Sequence, residues 1–214
     1  AIRSRGLGDV YKRQTSYSNH QLPMIPFYIY YSMFGFQRIH DLAWAAGDSR
    51  AKGFLLGATS GRTTLNGEGL QHQDGHSHIM AGTIPNCRSY DPCFSYELET
   101  IISEGIDDMY VKNNDRYYYI TLMNENYIHP ERPDNATPDN IMKGAYCFFK
   151  PKNPDFRVLA SGLTLNFALD AQDTLNELGI EIEIWSVTSF NELYKDGIES
   201  ERNERYFNKS AKPY

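Results

Sequence analysis

The sequence predicts an α/β fold, and two observations lead to that prediction. Apolar runs typical of strands alternate with segments whose apolar residues recur every three or four positions, as in helices. The composition, with 41% hydrophobic and 22% charged residues, allows a packed core. At 214 residues, the chain is long enough for one large or two small domains. We therefore expect a parallel sheet flanked by helices.

The first predicted unit is a strand, a helix and a second strand. Residues Met24–Met33 are aromatic and apolar without a charge, which is typical of a strand buried on both faces of a parallel sheet. The helix that follows is expected to end at Gly47, and the short apolar run Gly53–Ala58 predicts the next strand. The helical apolar positions are Phe36, Ile39, Ala43 and Ala46. This order favours a βαβ unit.

The later elements alternate in the same way, with one interruption. The predicted elements are a strand at 86–91, a helix from Phe94 to Met109, a strand at Arg116–Met123, a strand at Phe156–Ala160, a helix through Ala168 and Leu178 that ends at Gly179, and an exposed helix at Phe190–Tyr206. Pro130, Pro133 and Pro138 lie in a polar stretch and indicate a linker or domain boundary. The alternation of isoleucine and glutamate over Ile180–Ile184 predicts a half-buried strand.

Charge and cysteine content exclude several classes of protein. A net charge of −6 argues against nucleic acid as a main partner, because phosphate binding needs clustered Lys and Arg. No apolar run approaches the roughly 20 residues of a membrane helix. The three cysteines lack C-x-x-C spacing, so neither a zinc knuckle nor a disulfide framework is indicated, and a reducing, cytoplasmic setting is expected. Cys87 and Cys93 are expected to be small buried side chains.

The stretch Gly57–His78, here called the collar, contains most of the candidate catalytic and ligand-binding residues. Seven of the sixteen glycines lie from Gly53 to Gly82, and three of the six histidines lie from His72 to His78. Glycine lets a backbone approach a ligand closely, and histidine moves protons near neutral pH. Glu68 and His72 fit general acid–base catalysis. The alternative is that Glu68 is solvated and His72 bonds to backbone.

Other side chains in the collar, and two aromatic residues before it, each have two interpretations. His72, Asp74, His76 and His78 would point the same way on a strand and so suggest a metal site, unless Gly75 breaks the alternation and they bond to backbone or to each other. Tyr31 and Phe34 lie where the first strand ends, and they would stack on a flat ring or pack in the core. Arg62 suits a carboxylate or phosphate, or a surface role.

Four segments resemble a known family. They are Leu22–Ile39, Thr59–His72, Asp74–His78 (Asp-Gly-His-Ser-His) and Leu122–Tyr127 (Leu-Met-Asn-Glu-Asn-Tyr). Together they resemble the homodimeric, thiamin-diphosphate-dependent pyruvate dehydrogenase component, from about Thr15 to about Tyr206. The resemblance implies a transketolase-like pyrimidine-binding fold with a mainly parallel sheet, plus an incomplete second α/β domain. It implies an internal fragment with an unmatched, non-native tail at 1–14, a partial middle domain at 15–132, and a linker with the start of the C-terminal domain at 133–214.

The resemblance also implies an activity and its partners. The family oxidatively decarboxylates pyruvate with thiamin diphosphate and transfers the acetyl group to the lipoyl group of dihydrolipoamide acetyltransferase, as a bacterial cytoplasmic homodimer. By motif, Tyr31, Glu68 and His72 correspond to catalytic residues, while Phe34 and Tyr31 lie against the aminopyrimidine ring of the cofactor. Magnesium would be bound by a domain absent from this chain.

One departure from the family limits what this chain is expected to do alone. The family's cofactor-activating glutamate lies shortly before the segment that Thr15 begins, and no glutamate precedes Glu68 here. The isolated chain is therefore expected to be inactive. Two other functions remain open: a stand-alone metal-binding hydrolase that uses the cluster His72–His78, and a non-catalytic binding fragment.

Overall fold

The computed structural model describes residues 18–58, 60 and 69–207. The chain divides into two compact units, of which the first contains the residues up to Ser89 together with Ser103–Tyr127. The second contains Tyr90–Ile102 and the residues from Ile128 onward. The tail predicted at residues 1–14 lies outside the described residues.

A four-stranded sheet is built largely from the first unit, in the order β1-β2-β4-β3. The strands are β1 (Phe27–Tyr31), β2 (Phe54–Ala58), β3 (Cys87–Tyr90) and β4 (Tyr117–Thr121). β1 pairs in parallel with β2, and β2 in parallel with β4. The parallel pairing expected from the sequence is thus confirmed for these three strands, whose carboxyl ends share one edge of the sheet.

β1 lies at the margin of the described sheet, so the prediction of a strand buried on both faces is wrong. Phe27 and Ile29 expose 46% and 63% of their surface. The uncharged sequence is typical of a central strand, but in the described part of the chain β1 pairs with β2 alone. The apolar composition of a strand shows that it can be buried, but it does not determine the position of the strand in the sheet.

Helix α1 (Ser32–Asp48) connects β1 to β2 and completes the predicted βαβ unit. The helix begins four residues earlier than the apolar spacing predicts, and Gly47 lies in its last turn instead of after it. The buried cluster beneath the helix contains Phe36, Ala43, Ala81, Ile84, Cys87, Tyr117 and Tyr119. This cluster anchors α1 to the sheet and so fixes the residues at its first turn.

Two further helices lie between β2 and β4 in the sequence. α2 (Ser77–Gly82) begins at the end of the collar and was not predicted from the sequence. α3 (Ser95–Ile106) continues into a π-helical turn at Asp107–Val111, which leads into β4. No helix in the described ranges is both long and apolar enough to cross a bilayer.

The second unit contains a three-stranded sheet in the order β5-β7-β6. Its elements are α4 (Pro138–Lys143), β5 (Ala145–Phe149), β6 (Phe156–Ala160), α5 (Thr164–Glu177), β7 (Ile182–Val187) and α6 (Phe190–Phe207). β6 is parallel to β7, and β5 is antiparallel to it. The sequence predicts β6, α5, β7 and α6 but misses α4 and β5, because the prolines nearby favoured a linker.

Glu183 on β7 is buried, although the alternation of isoleucine and glutamate predicts a strand that is buried on one face only. Arg157 faces it across the parallel pair and donates a hydrogen bond of 2.8 Å, while Lys150 Nζ lies 3.6 Å away. The hydrogen bond from Arg157 lowers the pKa of the Glu183 carboxyl. A carboxylate paired in this way tolerates burial that an isolated one would not.

Candidate functional site

The carboxyl ends of three parallel strands form the edge where the predicted site residues gather. β1 and β2 end opposite each other at Tyr31 and Ala58, and Gly57 pairs with Thr121 at the end of β4. Ligands of open α/β sheets bind outside this edge. The described collar residues from Gly69 to His78 make hydrogen bonds to the ends of β1 and β4.

Tyr31, Phe34 and His72 form one aromatic cluster at this edge. Tyr31 Oη lies 3.0 Å from His72 Nδ1. The ring centroids of Tyr31 and Phe34 are 5.2 Å apart in a stacked arrangement, and His72 meets both rings edge-on at 5.7 Å. All three side chains are half-buried. The structure therefore brings together three of the residues that the sequence predicts for the site.

The cluster combines flat apolar surface with a proton-carrying group. The hydroxyl of Tyr31 fixes the orientation of the His72 imidazole through Nδ1. A positioned imidazole is the side chain most often used for general acid–base catalysis. The guanidinium carbon of Arg38 lies 4.4 Å above the ring of Phe34, so this ring already packs against a cation.

The collar histidines contact three different elements, so the interpretation of the collar as a strand with four ligands on one face is wrong. The partners of His72, His76 and His78 are Tyr31 of β1 at 3.0 Å, Gln37 of α1 at 2.6 Å and Thr121 of β4 at 3.1 Å. The collar forms a 3₁₀ turn at Leu70–His72 and then α2, and helical geometry directs successive side chains apart. Across residues 18–58, 60 and 69–207, no group of three or more His, Cys, Asp or Glu side chains could hold a metal ion.

Asp74, also considered above as a metal ligand, is a buried hydrogen-bond acceptor. Its carboxylate accepts a short hydrogen bond from Ser32 Oγ and further hydrogen bonds from the backbone N–H groups of His76 and Ser77 at 3.2 and 3.1 Å. Burial alone would raise the pKa of Asp74, but the hydrogen bonds from Ser32 and Ser77 outweigh it and hold the pKa below its ordinary value. Asp74 is therefore ionised at neutral pH.

Sequence reasoning missed Ser32 and Tyr119, which join Asp74 beneath the aromatic cluster. Tyr119 Oη lies 3.2 Å from Ser32 Oγ. Gly57 makes room for both, since a Cβ there would lie 2.7 Å from the Tyr119 hydroxyl and 2.9 Å from the Ser32 hydroxyl. A glycine inside an apolar strand signals close approach of other groups, and this signal was available in the sequence.

Two predicted site residues lie outside the described residues. They are Glu68, predicted to be catalytic, and Arg62, a candidate for anion binding. The pairing of Glu68 with His72 therefore stays a prediction, while His72 itself is placed by Tyr31.

Comparison with known proteins identifies the chain's relatives. Residues 6–130 match the family described as Pyruvate dehydrogenase E1 component middle domain, and residues 144–213 match Transketolase-like TK C-terminal domain. The Pyruvate dehydrogenase E1 component of Pseudomonas aeruginosa is 57% identical over 195 residues, which is 89% of this chain and 22% of that protein. The Escherichia coli K12 protein of the same name is 54% identical over 192 residues, 88% of this chain and 22% of that protein.

Solved structures show the same fold. Transketolase from Campylobacter jejuni matches with a TM-score of 0.66 and 21% identity, over 84% of this chain and 27% of its own. Transketolase from Leishmania mexicana matches with a TM-score of 0.64 and 16% identity, over 79% and 24%. The predicted transketolase-like α/β fold is confirmed. The chain spans 22% of the length of the curated relatives named above, and by its match over residues 6–130 it belongs to the pyruvate dehydrogenase E1 component family.

Proposed function

We propose that this chain supplies the pyrimidine-facing part of a thiamin diphosphate site in a pyruvate dehydrogenase E1 component. The full-length protein would oxidatively decarboxylate pyruvate and transfer the acetyl group to the lipoyl group of dihydrolipoamide acetyltransferase, as a cytoplasmic homodimer. The observation that supports this most is the contact of Tyr31, Phe34 and His72 at the carboxyl edge of the parallel sheet. The family match over the same residues supports it independently.

The residues at this edge suit an aminopyrimidine ring. The stacked, half-buried rings of Tyr31 and Phe34 offer aromatic surface to a flat heterocycle. Thiamin diphosphate, when bound, would supply the electron sink that lets the bond between the carboxyl and keto carbons of pyruvate break. Phe34 and Tyr31 would orient the ring, and burial at the sheet edge would limit access of water.

His72 would hold and move the proton that the reaction needs. Its imidazole is oriented by Tyr31 and lies beside Phe34, within reach of a substrate bound over that ring. A positioned histidine of this kind contributes roughly 10²- to 10⁴-fold to a rate. Glu68, four residues before His72 in the sequence, would act together with this imidazole, as the resemblance to the family implies.

The proposal assigns magnesium and the diphosphate to other parts of the full-length protein. The described residues offer no cluster of three or more acidic, histidine or cysteine side chains for a metal. We expect isothermal titration calorimetry of the 214-residue chain to detect no micromolar binding of thiamin diphosphate, with or without magnesium. Micromolar binding would contradict this part of the proposal.

A chimera tests the activity directly. Residues 18–207 of this chain would replace the aligned segment of the Pseudomonas aeruginosa relative, to which the chain is 57% identical. We expect a folded dimeric chimera to decarboxylate pyruvate within about tenfold of its host. In the chimera, Phe34→Ala should weaken thiamin diphosphate binding about tenfold, whereas Phe167→Ala, which truncates an exposed phenylalanine of α5, should not. A folded chimera without turnover would overturn the proposal.

Two further measurements separate the other functions. Elemental analysis that finds stoichiometric zinc or iron in the purified chain would favour a metal-binding hydrolase. A chimera that co-purifies with dihydrolipoamide acetyltransferase but shows no turnover would favour a non-catalytic binding role.

A further inference from the structure

Asp74 lies two residues after His72 and differs from its neighbours by its burial. From Gly69 to His76, all of which the structure describes, Asp74 is the only buried residue, with 4% of its surface exposed. The 3₁₀ turn Leu70–His72 contains no buried side chain. Apart from the edge-on contacts of the His72 ring with Tyr31 and Phe34, the segment buries little apolar surface, so polar contacts contribute strongly to its position.

The contacts of Asp74 join the collar to the first residue of α1. One carboxylate oxygen accepts the N–H groups of His76 and Ser77 at the start of α2. The other accepts the hydroxyl of Ser32 and lies 3.5 Å from Tyr119 Oη. Because the carboxylate is charged, these hydrogen bonds are stronger than those between neutral groups.

Two neighbouring hydrogen-bond contacts, Tyr31–His72 and Ser32–Asp74, therefore connect the start of α1 to the collar. Ser32 follows Tyr31 directly, and Asp74 follows His72 by two residues. The Ser32–Asp74 contact is buried, whereas the Tyr31–His72 contact is half-buried. Gly57 of β2 leaves the space that the hydroxyls of Ser32 and Tyr119 occupy. Ser32 of α1 and Tyr119 of β4 can therefore both reach this carboxylate.

We propose that Asp74 is a positioning residue, whose carboxylate holds the collar against Ser32 so that the His72 imidazole meets Tyr31. Asp74 would touch neither substrate nor cofactor and would act through His72. The inference rests on the proposed function for its catalytic consequence, but the geometry it describes is measurable in the chain itself.

The first test measures the position of His72 without any reaction. Nuclear magnetic resonance of the ¹⁵N-histidine-labelled 214-residue chain would compare Asp74→Asn and Ser32→Ala with the unchanged protein. Ser32→Ala removes the link to α1 but leaves the N–H contacts of Asp74 with α2 intact. We expect both variants to shift the ring nitrogen signals of His72, while those of His40, which contacts Thr83 instead, stay in place. Asp41→Asn, an exposed carboxylate on α1, should leave His72 unchanged. An unchanged His72 signal in folded Ser32→Ala would overturn the inference, whether or not Asp74→Asn folds.

The second test uses the chimera. A misplaced catalytic group loses up to roughly 10²-fold in rate, so Asp74→Asn should lower kcat about 10- to 100-fold while KM for pyruvate changes less than about threefold. Combined with His72→Ala, Asp74→Asn should cause no further loss of kcat. A full multiplicative loss in the double variant would show that Asp74 acts independently of His72 and would overturn the inference. An inactive unmodified chimera would overturn the proposed function alone, because the resonance test does not depend on turnover.

Discussion

Replacing Gly35 by alanine should destabilise the protein, although helix propensity alone predicts the opposite. Gly35 lies inside α1, where alanine is favoured over glycine by about 1 kcal/mol. The ring of Tyr30, however, occupies the space that a Cβ at Gly35 would fill. Tyr30 also stacks on Tyr119 with centroids 6.3 Å apart, so its ring cannot move without losing packing. Overpacking costs about 1–3 kcal/mol, and the upper half of that range applies because the Tyr30 ring lies directly at the position of the added Cβ. After the gain of about 1 kcal/mol in helix propensity, we expect a net loss of about 1–2 kcal/mol.

Gly197→Ala provides the matched control. Gly197 also lies inside a helix, α6, but no atom lies within 4 Å of the Cβ that alanine would add. This variant should gain up to about 1 kcal/mol. Urea unfolding followed by the fluorescence of Trp44 for the first unit and Trp185 for the second would measure both changes, each in a background where the other tryptophan is phenylalanine. A Gly35→Ala variant as stable as the unchanged protein would refute the reasoning.

Three other predictions concern single groups. Tyr30→Phe should raise the free energy of unfolding by about 1 kcal/mol. The buried hydroxyl has no hydrogen-bond partner among the described residues, and burying it unpaired is costly. Urea unfolding that shows a loss of stability would contradict this. The pKa of Asp74 is lowered in the fold, so its contribution to stability is present above the unfolded pKa of about 3.9 and is lost as pH falls through the folded pKa. Unfolding measured between about pH 6 and 3 should therefore show a weaker pH dependence in Asp74→Asn, and an equal slope would count against the assignment. Thr137→Ala should lower the free energy of unfolding of the second unit by about 0.5–2 kcal/mol, because the Thr137 hydroxyl accepts a hydrogen bond from the N–H of Asn140 at the start of α4. Urea unfolding followed by Trp185 fluorescence would measure the loss, and an unchanged stability would contradict the prediction.

The βαβ unit was predictable because the patterns that define it lie in adjacent segments of the sequence. Apolar residues at helical spacing between two uncharged runs give α1 between β1 and β2, and the structure confirms this order. The position of β1 at the margin of the described sheet was not predictable, since strand order depends on contacts between distant segments. β5 contains an apolar run after Gly144, but the prolines before it outweighed that signal.

The residues of the site were visible in the sequence, but most of their contacts were not. The collar stood out by its glycines and histidines, yet Tyr31 and His72 are 41 residues apart, and Ser32 and Asp74 are 42 apart. No periodicity reports such pairs. Glu183 illustrates the same limit, because its burial depends on Arg157 of a neighbouring strand.

The turnover of the chimera with and without His72 tests the central claim most directly. Pyruvate decarboxylation would be measured at saturating thiamin diphosphate and magnesium for the chimera and for its His72→Ala variant. The account predicts a drop in kcat of about 10²- to 10⁴-fold, with thiamin diphosphate affinity unchanged within about threefold. A His72→Ala chimera that keeps the turnover of the unsubstituted chimera would contradict the assignment of this edge of the sheet as the proton-transferring part of the site.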